Sequence, residues 1–258
     1  MSKIHPTAIV SDTAKIGKKI TIEAYAIIHD DVEIGDNCFV GPSANIYDGA
    51  RIGNNVKIFQ SASVSNVPQD LKFDKEVSYT YIDDGTTVRE FATIHRGTGE
   101  GGITKIGKNC LLMAYVHVPH DSVIGDNVIL ANTVQIAGHV EIDSNVIIGG
   151  LTAIHQFCKI GRNSMIGAAV KITQDIPPFI LVGREPSRYM GLNVVGLKRK
   201  GFSKEDIDIL RKVYGLIYDN GLNLTQAKEK IKSEFHDNPL ANEVLDFLAR
   251  CNRGLIRK

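Results

Sequence analysis

Residues 123–150 read VIGDNVILANTVQIAGHVEIDSNVIIGG. Ile124, Leu130, Ile136, Ile142 and Ile148 recur at every sixth residue, with Val128, Val134, Val140 and Val146 four places after the first four of them. A helix would repeat near 3.6 residues and a half-buried strand near 2, and neither period fits. A strict period of six belongs to a parallel β-helix, in which short strands wind into stacked coils.

The same count extends outward in both directions. Ile4, Val10, Ile16, Ile22, Ile28, Ile34, Val40, Ile46, Ile52, Ile58 and Val64 hold the first place of successive hexads. The pattern pauses between about Ser65 and Tyr81, returns at Ile82, Val88 and Ile94, pauses again at 97–102, and runs unbroken from Ile106 to Ile172. The first place, aliphatic, and the fifth, small or aliphatic, are expected to point inward and fill a narrow prism. Cys38, Cys110 and Cys158 occupy fifth places and read as core filler. Glycine is frequent at the second place, and "GDN", "GNN" and "GKN" segments recur. Both Gly and Asn are expected at corners for the backbone angles they tolerate.

Composition bounds the function. The chain has 258 residues, 43% hydrophobic and 23% charged, with a net charge of +1. Residues 1–177 carry 15 basic and 19 acidic side chains, whereas 178–258 carry 15 and 10, so the C-terminal part is the one that would attract an acidic partner. No apolar run approaches the roughly 18 residues of a membrane span, and the N-terminus lacks a signal-peptide layout. A cytoplasmic protein with neither a transmembrane segment nor a nucleic-acid partner is expected. The four cysteines form no CxxC pair, which removes the usual zinc and redox signatures. After Pro177–Pro178 the period stops. Residues 203–219 place Ile207, Leu210, Val213, Tyr214 and Ile217 at helical spacing behind a Ser203 cap, with two more amphipathic segments near 223–236 and 239–251. The expected division is a β-helix over 1–178, followed by a linker and helical domain over 179–258.

Several stretches are more specific than the hexads: "PQDLKF" (68–73), "TIHRGT" (93–98), "LLMAYVHVPHD" (111–121), "ILANTVQIAGHV" (129–140), "AIHQF" (153–157), "QDIPPF" (174–179) and "GLNVVGLKRKGFS" (191–203). With these, the chain resembles the UDP-N-acetylglucosamine acyltransferases over nearly its full length. The resemblance implies a mainly β fold, a left-handed β-helix with three hexads per coil, assembled as a homotrimer with sites between subunits. It implies acyl transfer from acyl carrier protein to the 3-hydroxyl of UDP-N-acetylglucosamine, the first step of lipid A synthesis, with no cofactor and no metal.

With 18 residues per coil, residues 18 apart stack at roughly 4.8 Å, so His120, Gly138 and Gln156 form an outward column with His139 beside it. In the resembled family the position of His120 is the general base, Asp121 orients or charge-stabilises it, and the Gly138 N–H holds the oxyanion. His117, His139 and Gln156 correspond to donor or nucleotide-sugar contacts. Asp70 and Lys72, on the loop that interrupts the repeat, correspond to sugar contacts from the neighbouring subunit. Asn193 and Arg199 match nucleotide-binding positions, and Ala168 the end stop of the acyl groove, with Met165 nearby. Adjacent to Gln156, His155 is expected to line the site, whereas His5 and His29 read as structural. Some members carry Glu where this chain has Val195, which leaves the detail of uridine binding open. Two rival readings stand beside this one: N-acylation of a UDP-3-amino sugar, and a γ-type carbonic anhydrase-like lyase holding zinc through His117, His120 and His139.

Overall fold

The computed structural model describes residues 2–219 and 221–258. Short strands of two to five residues wind into a left-handed β-helix with three sheets of eleven, nine and eight strands. We call these faces A, B and C, after the strands Lys3–Ile4, Ile9–Val10 and Lys15–Ile16 that begin them. Leu111 pairs with Ile129 and Ile129 with Ile147, so one coil is 18 residues, as three hexads require.

The two pauses in the period are insertions, and both leave the prism at the same edge. Ile58 pairs with Val88, 30 residues on, and Val88 with Leu112, 24 residues on, so the coils absorb 12 and 6 extra residues. The first insertion lies between Ser63–Asn66 on face B and Tyr79–Ile82 on face C; the second lies between Thr93–His95 and Ile103–Ile106 on the same two faces. The B/C edge therefore carries both loops.

First-place aliphatics and fifth-place small residues are buried along the prism, Cys38, Cys110 and Cys158 among them. The corners correct one expectation. Left-handed backbone falls at the fourth place, where Asn37, Asn55, Asn109, Asn127, Asn145 and Asn163 have φ of 54–64°. Asn is tolerated there for the reason expected. The second-place glycines are not at positive φ; they are small because coils stack closely. A Cβ on Gly35 would lie 2.8 Å from the carbonyl carbon of Gly53 one coil on, and one on Gly17 would lie 2.7 Å from that of Gly35. Stacking, not torsion, demands glycine at that place.

Past Pro178 the chain adds one more parallel strand to face A, Ile180–Gly183 against Met165–Ile166, and turns back in an antiparallel strand, Arg188–Leu192. The sheet thus runs beyond the last hexad. Among the described residues four helices follow: α1 (Val194–Arg199), α2 (Lys204–Tyr218), α3 (Leu224–Glu234) and α4 (Pro239–Ala249). Ser203 and Asp206 form a capping box on α2, and Asn223 with Gln226 form another on α3. Ile207, Leu210, Val213 and Tyr214 are buried as their spacing requires, while Ile217 is half-buried and Leu216 takes a core position instead. The short α1 has no amphipathic period to announce it. The buried Asp175 carboxylate fixes the C-terminal tail to the prism by accepting the N–H groups of Lys159, Asn252 and Arg253.

Candidate active site

The B/C edge below the two insertions brings the third-place column together. His120 Nδ1 lies 2.8 Å from Asp121 Oδ2, which directs Nδ1–H at the carboxylate and leaves Nε2 as the free lone pair. Both side chains are about six-sevenths buried, at 15% and 14% exposure. Asp121 sits at a left-handed corner, φ 59°, and its own N–H donates to Thr104 Oγ1 at 2.9 Å. The Thr98 hydroxyl donates to Asp121 Oδ2 at 2.6 Å and the Thr98 N–H to Oδ1 at 3.0 Å. Burial pushes the Asp121 carboxyl up. The donors Thr98 and His120 and the charge of His139 outweigh it, and the group ends below its ordinary pKa. It is a fixed anion beside the imidazole.

Gly138 stands one coil below. A Cβ there would lie 2.7 Å from His120 Cε1 and 2.9 Å from Nε2, so no side chain fits under the ring. Among the described residues none accepts a hydrogen bond from the Gly138 N–H. His139, at the next corner, meets His120 edge-on at 5.3 Å and lies 3.6 Å from Asp121 through its Nε2. Phe157 stacks on His139 at 4.8 Å. Sequence reasoning missed Phe157, although the signal was present: it holds the fourth place one coil beyond His139.

These residues border a cleft of about 620 Å³ lined by Gln69, Asp70, Leu71, Lys72, His120, His139, Gln156 and Phe157. Asp70 and Lys72 therefore reach the His120 cleft of their own chain. The inserted loop leaves from the B/C edge and lies along it, on the same prism as His120. One Asp70 oxygen accepts the Lys72 N–H at 2.9 Å and stiffens the loop.

His117 and His155 are not in that lining. His117 faces outward on face B and bonds Thr93 Oγ1 through Nδ1 at 2.7 Å; burial, then the neighbouring His120, lowers its pKa. Beside it His95 is buried at 4% exposure, edge-on at 5.0 Å, with its Nδ1 unpartnered. Burial, with the charges of His117 and His120, brings the His95 pKa down to about 4. His155 turns toward the C-terminal tail, where Arg253 Nη2 lies 3.0 Å from its Nδ1. His120, Asp121 and His139 offer ligand atoms within 4.8 Å of one another, whereas His117 is outside that group, so the three-histidine zinc set is not assembled among the described residues.

Comparison with known proteins decides the family. A model of bacterial transferase hexapeptide repeats matches residues 13–47, 31–58 and 103–138, and a UDP-N-acetylglucosamine O-acyltransferase domain 2 model matches 175–256. The acyl-[acyl-carrier-protein]–UDP-N-acetylglucosamine O-acyltransferase of Chlorobaculum parvum is 56% identical over 98% of this chain and 97% of its own length. The chain belongs to the acyl-[acyl-carrier-protein]–UDP-N-acetylglucosamine O-acyltransferase family. The corresponding protein of a Sulfurihydrogenibium species is 54% identical over 99% of this chain and 94% of its own. Among solved structures, the UDP-N-acetylglucosamine acyltransferase of Bacteroides fragilis superposes with a TM-score of 0.96 at 42% identity, covering 98% of this chain and all of that one. That of Francisella novicida gives 0.96 at 37%, covering 99% and 94%. The relatives are named O-acyltransferases, so neither the N-acylation nor the metal-lyase alternative finds support.

In this O-acyltransferase chain the remaining expected residues lie on the other two edges of the prism. Ala168 is exposed at the A/B corner, in the column of Ala114, Asn132 and Gly150, with Met165 on face A before it. Asn193 is at the C/A edge, where its side chain caps α1 and donates to the Asn163 carbonyl at 2.9 Å. Arg199 is exposed at the end of α1, and Val195 is exposed beside it. A single prism does not bring these residues to the His120 cleft.

Proposed function

We propose that the chain transfers an acyl group from an acyl carrier protein thioester to the 3-hydroxyl of UDP-N-acetylglucosamine, the step that opens lipid A synthesis. The observation that carries this is a histidine oriented by a buried anion, standing over a glycine whose N–H is free, in a cleft roofed by Asp70 and Lys72. His120 Nε2 takes the proton of the sugar hydroxyl as its oxygen attacks the thioester carbonyl. Positioned bases of this kind contribute about 10²–10⁴-fold. The oxygen of the tetrahedral intermediate accepts from the Gly138 N–H, a donor fixed in advance of the reaction. Collapse breaks the C–S bond, and the leaving thiolate recovers the proton from His120. Asp121 stabilises the imidazolium in between. Asp70, Lys72, His139 and Gln156 hold the sugar nucleotide in this reading, with His117 and His155 at the margins.

The spread of Asn193, Arg199, Met165 and Ala168 over the other edges supports a homotrimer, in which an edge of one prism meets a face of the next. The outward apolar residues of face A and its edge, including Phe91, Tyr115, Ile147, Leu151 and Met165, support the same assembly, because exposed patches of this kind mark interfaces. The donor docks on the basic C-terminal region around Lys198, Arg199, Lys200, Arg211 and Lys212, and no cofactor or metal takes part. Among the described residues no helix is long and apolar enough to cross a membrane. In this reading an acyl carrier protein donor implies a cytoplasmic reaction. Mass spectrometry of the products from UDP-N-acetylglucosamine and a set of acyl carrier proteins tests the reading: a 3-O-acylated nucleotide sugar is expected, and an N-acylated product or none would overturn it.

A further inference from the structure

The two insertions that interrupt the repeat are fastened to each other and to the catalytic carboxylate. The second, residues 97–102, is pinched at its base. A Cβ on Gly97 would lie 2.3 Å from the Gly102 carbonyl carbon, and one on Gly102 would lie 1.9 Å from the Thr98 oxygen. Only glycines allow the loop to close so tightly. Closure aims the Thr98 N–H and hydroxyl at opposite oxygens of Asp121. On its other side the same loop holds the first insertion. The Gly99 N–H donates to Glu76 Oε1 at 2.8 Å, the Gly101 N–H to the Val77 carbonyl at 2.7 Å, and the Tyr79 N–H to the Gly102 carbonyl at 2.8 Å. Glu76 Oε2 accepts the Asp74 N–H at 2.7 Å within the first insertion. The Arg96 guanidinium, just before the second loop, lies over the Phe73 ring at 5.5 Å. Asp70 and Lys72, which line the cleft, belong to the loop so held.

We propose that Thr98 is a positioning residue for the His120–Asp121 pair, and that Glu76 is the strut that transmits the same loop's rigidity to Asp70 and Lys72. The inference rests on the reading of His120 as general base and of Asp70 and Lys72 as sugar contacts. Thr98 acts by dividing the negative charge of Asp121 between itself and the imidazole. Without its hydroxyl the carboxylate turns wholly to His120, favours the imidazolium, and loses the donor that fixes its plane. Glu76 acts on binding alone, since it touches the loop and not the dyad. The two residues therefore separate kinetically: Thr98 governs kcat and its acid limb, Glu76 governs KM for the nucleotide sugar.

The test uses the full-length enzyme with Thr98→Val, Thr98→Ser and Glu76→Ala, alongside His120→Ala. Thr98→Val removes one hydrogen bond to a charged group at nearly constant volume, and kcat should fall about 10–100-fold with KM little changed. The acid limb of its kcat profile should move to higher pH, because His120 must be neutral to accept a proton. Thr98→Ser should restore both. Glu76→Ala should raise KM for UDP-N-acetylglucosamine several-fold with kcat near wild type. Thr98→Val within twofold of wild type, an unmoved acid limb, or equal losses in the Val and Ser variants would overturn the role of Thr98. A Glu76→Ala loss confined to kcat would overturn the strut. If His120→Ala itself stays active, the underlying reading fails instead, so the two failures are distinguishable.

Discussion

The B/C and C/A edges of the prism share one backbone and do different work. At the C/A edge the left-handed corners are Asn109, Asn127, Asn145 and Asn163, with φ of 54–64°. At the B/C edge the same corners are Asp121, His139 and Phe157, with φ of 59–66°. The coil pitch is common to both. What differs is the use of hydrogen-bonding groups. At the C/A edge several third-place N–H groups are consumed between coils: Lys108 N–H donates to Asp126 Oδ1 at 2.8 Å and Asp126 N–H to Ser144 Oγ at 2.9 Å. At the B/C edge the equivalent Gly138 N–H is left free, and a histidine stands above it. A structural corner becomes a reactive one when a donor is withheld from the stack and a base is placed over it.

The comparison is broken most directly at His120. His120→Ala should fold normally yet lose at least about 10² in kcat, because a positioned base is removed and no core contact is lost. Retention of more than about a tenth of wild-type activity in the purified variant would assign the chemistry elsewhere on the edge.

Glycine substitutions sharpen it next. Gly138→Ala puts a methyl 2.7 Å from His120 Cε1, so it should displace the ring and cut kcat severely while thermal unfolding shifts little. Gly125→Ala at the C/A edge puts its methyl 2.6 Å from the Ser144 N–H nitrogen, so it should lower the melting temperature and leave kcat of the folded fraction nearly intact. Calorimetry and kinetics on the two variants would contradict the contrast if their profiles matched.

A smaller effect tests the third edge. Ala168→Met enlarges an exposed A/B corner, and the acyl-chain optimum should move to shorter donors. Each buried CH₂ is worth about 0.8 kcal/mol, roughly a factor of four, so a loss of two carbons is measurable in kcat/KM. An unchanged length profile across a series of acyl carrier proteins would place the end of the groove elsewhere.

The smallest effect concerns His95, buried just before the second insertion. Its pKa is depressed to about 4 in the fold, against about 6.5 unfolded, so the unfolded chain binds the extra proton first. Its stabilising share is complete above about pH 6.5 and is lost as pH falls toward 4. His95→Gln should flatten that part of the stability curve in denaturant titrations at several pH values. A wild-type curve already flat over that window would refute the assignment.

Much of this was legible in the residues. The six-residue period dictates the coils and the buried aliphatics. With the three hexads per coil that the family resemblance implies, it also sets the column of His120, Gly138 and Gln156, because stacking at fixed pitch turns sequence spacing directly into distance. The Asn corners followed from backbone sterics. The glycine rationale did not, since a close approach between coils is invisible until the coils are stacked. Likewise α1 is too short for a periodic signal, and Phe157 carries no mark apart from its place in the hexad.

What the sequence by itself determined is therefore the repetitive part: the prism, its three edges, the interruption of the repeat and the stack of polar residues on one edge. Tertiary structure alone decided the direction in which the irregular parts fold. It turned the loop of Asp70 and Lys72 onto its own chain's cleft, clamped Asp121 with Thr98, sent His155 to Arg253, and set Ala168 and Asn193 on other edges. The physical reason is that a repeat has one solution, fixed by local spacing and summed over many identical contacts. An insertion has many conformations, and a few non-local hydrogen bonds choose among them.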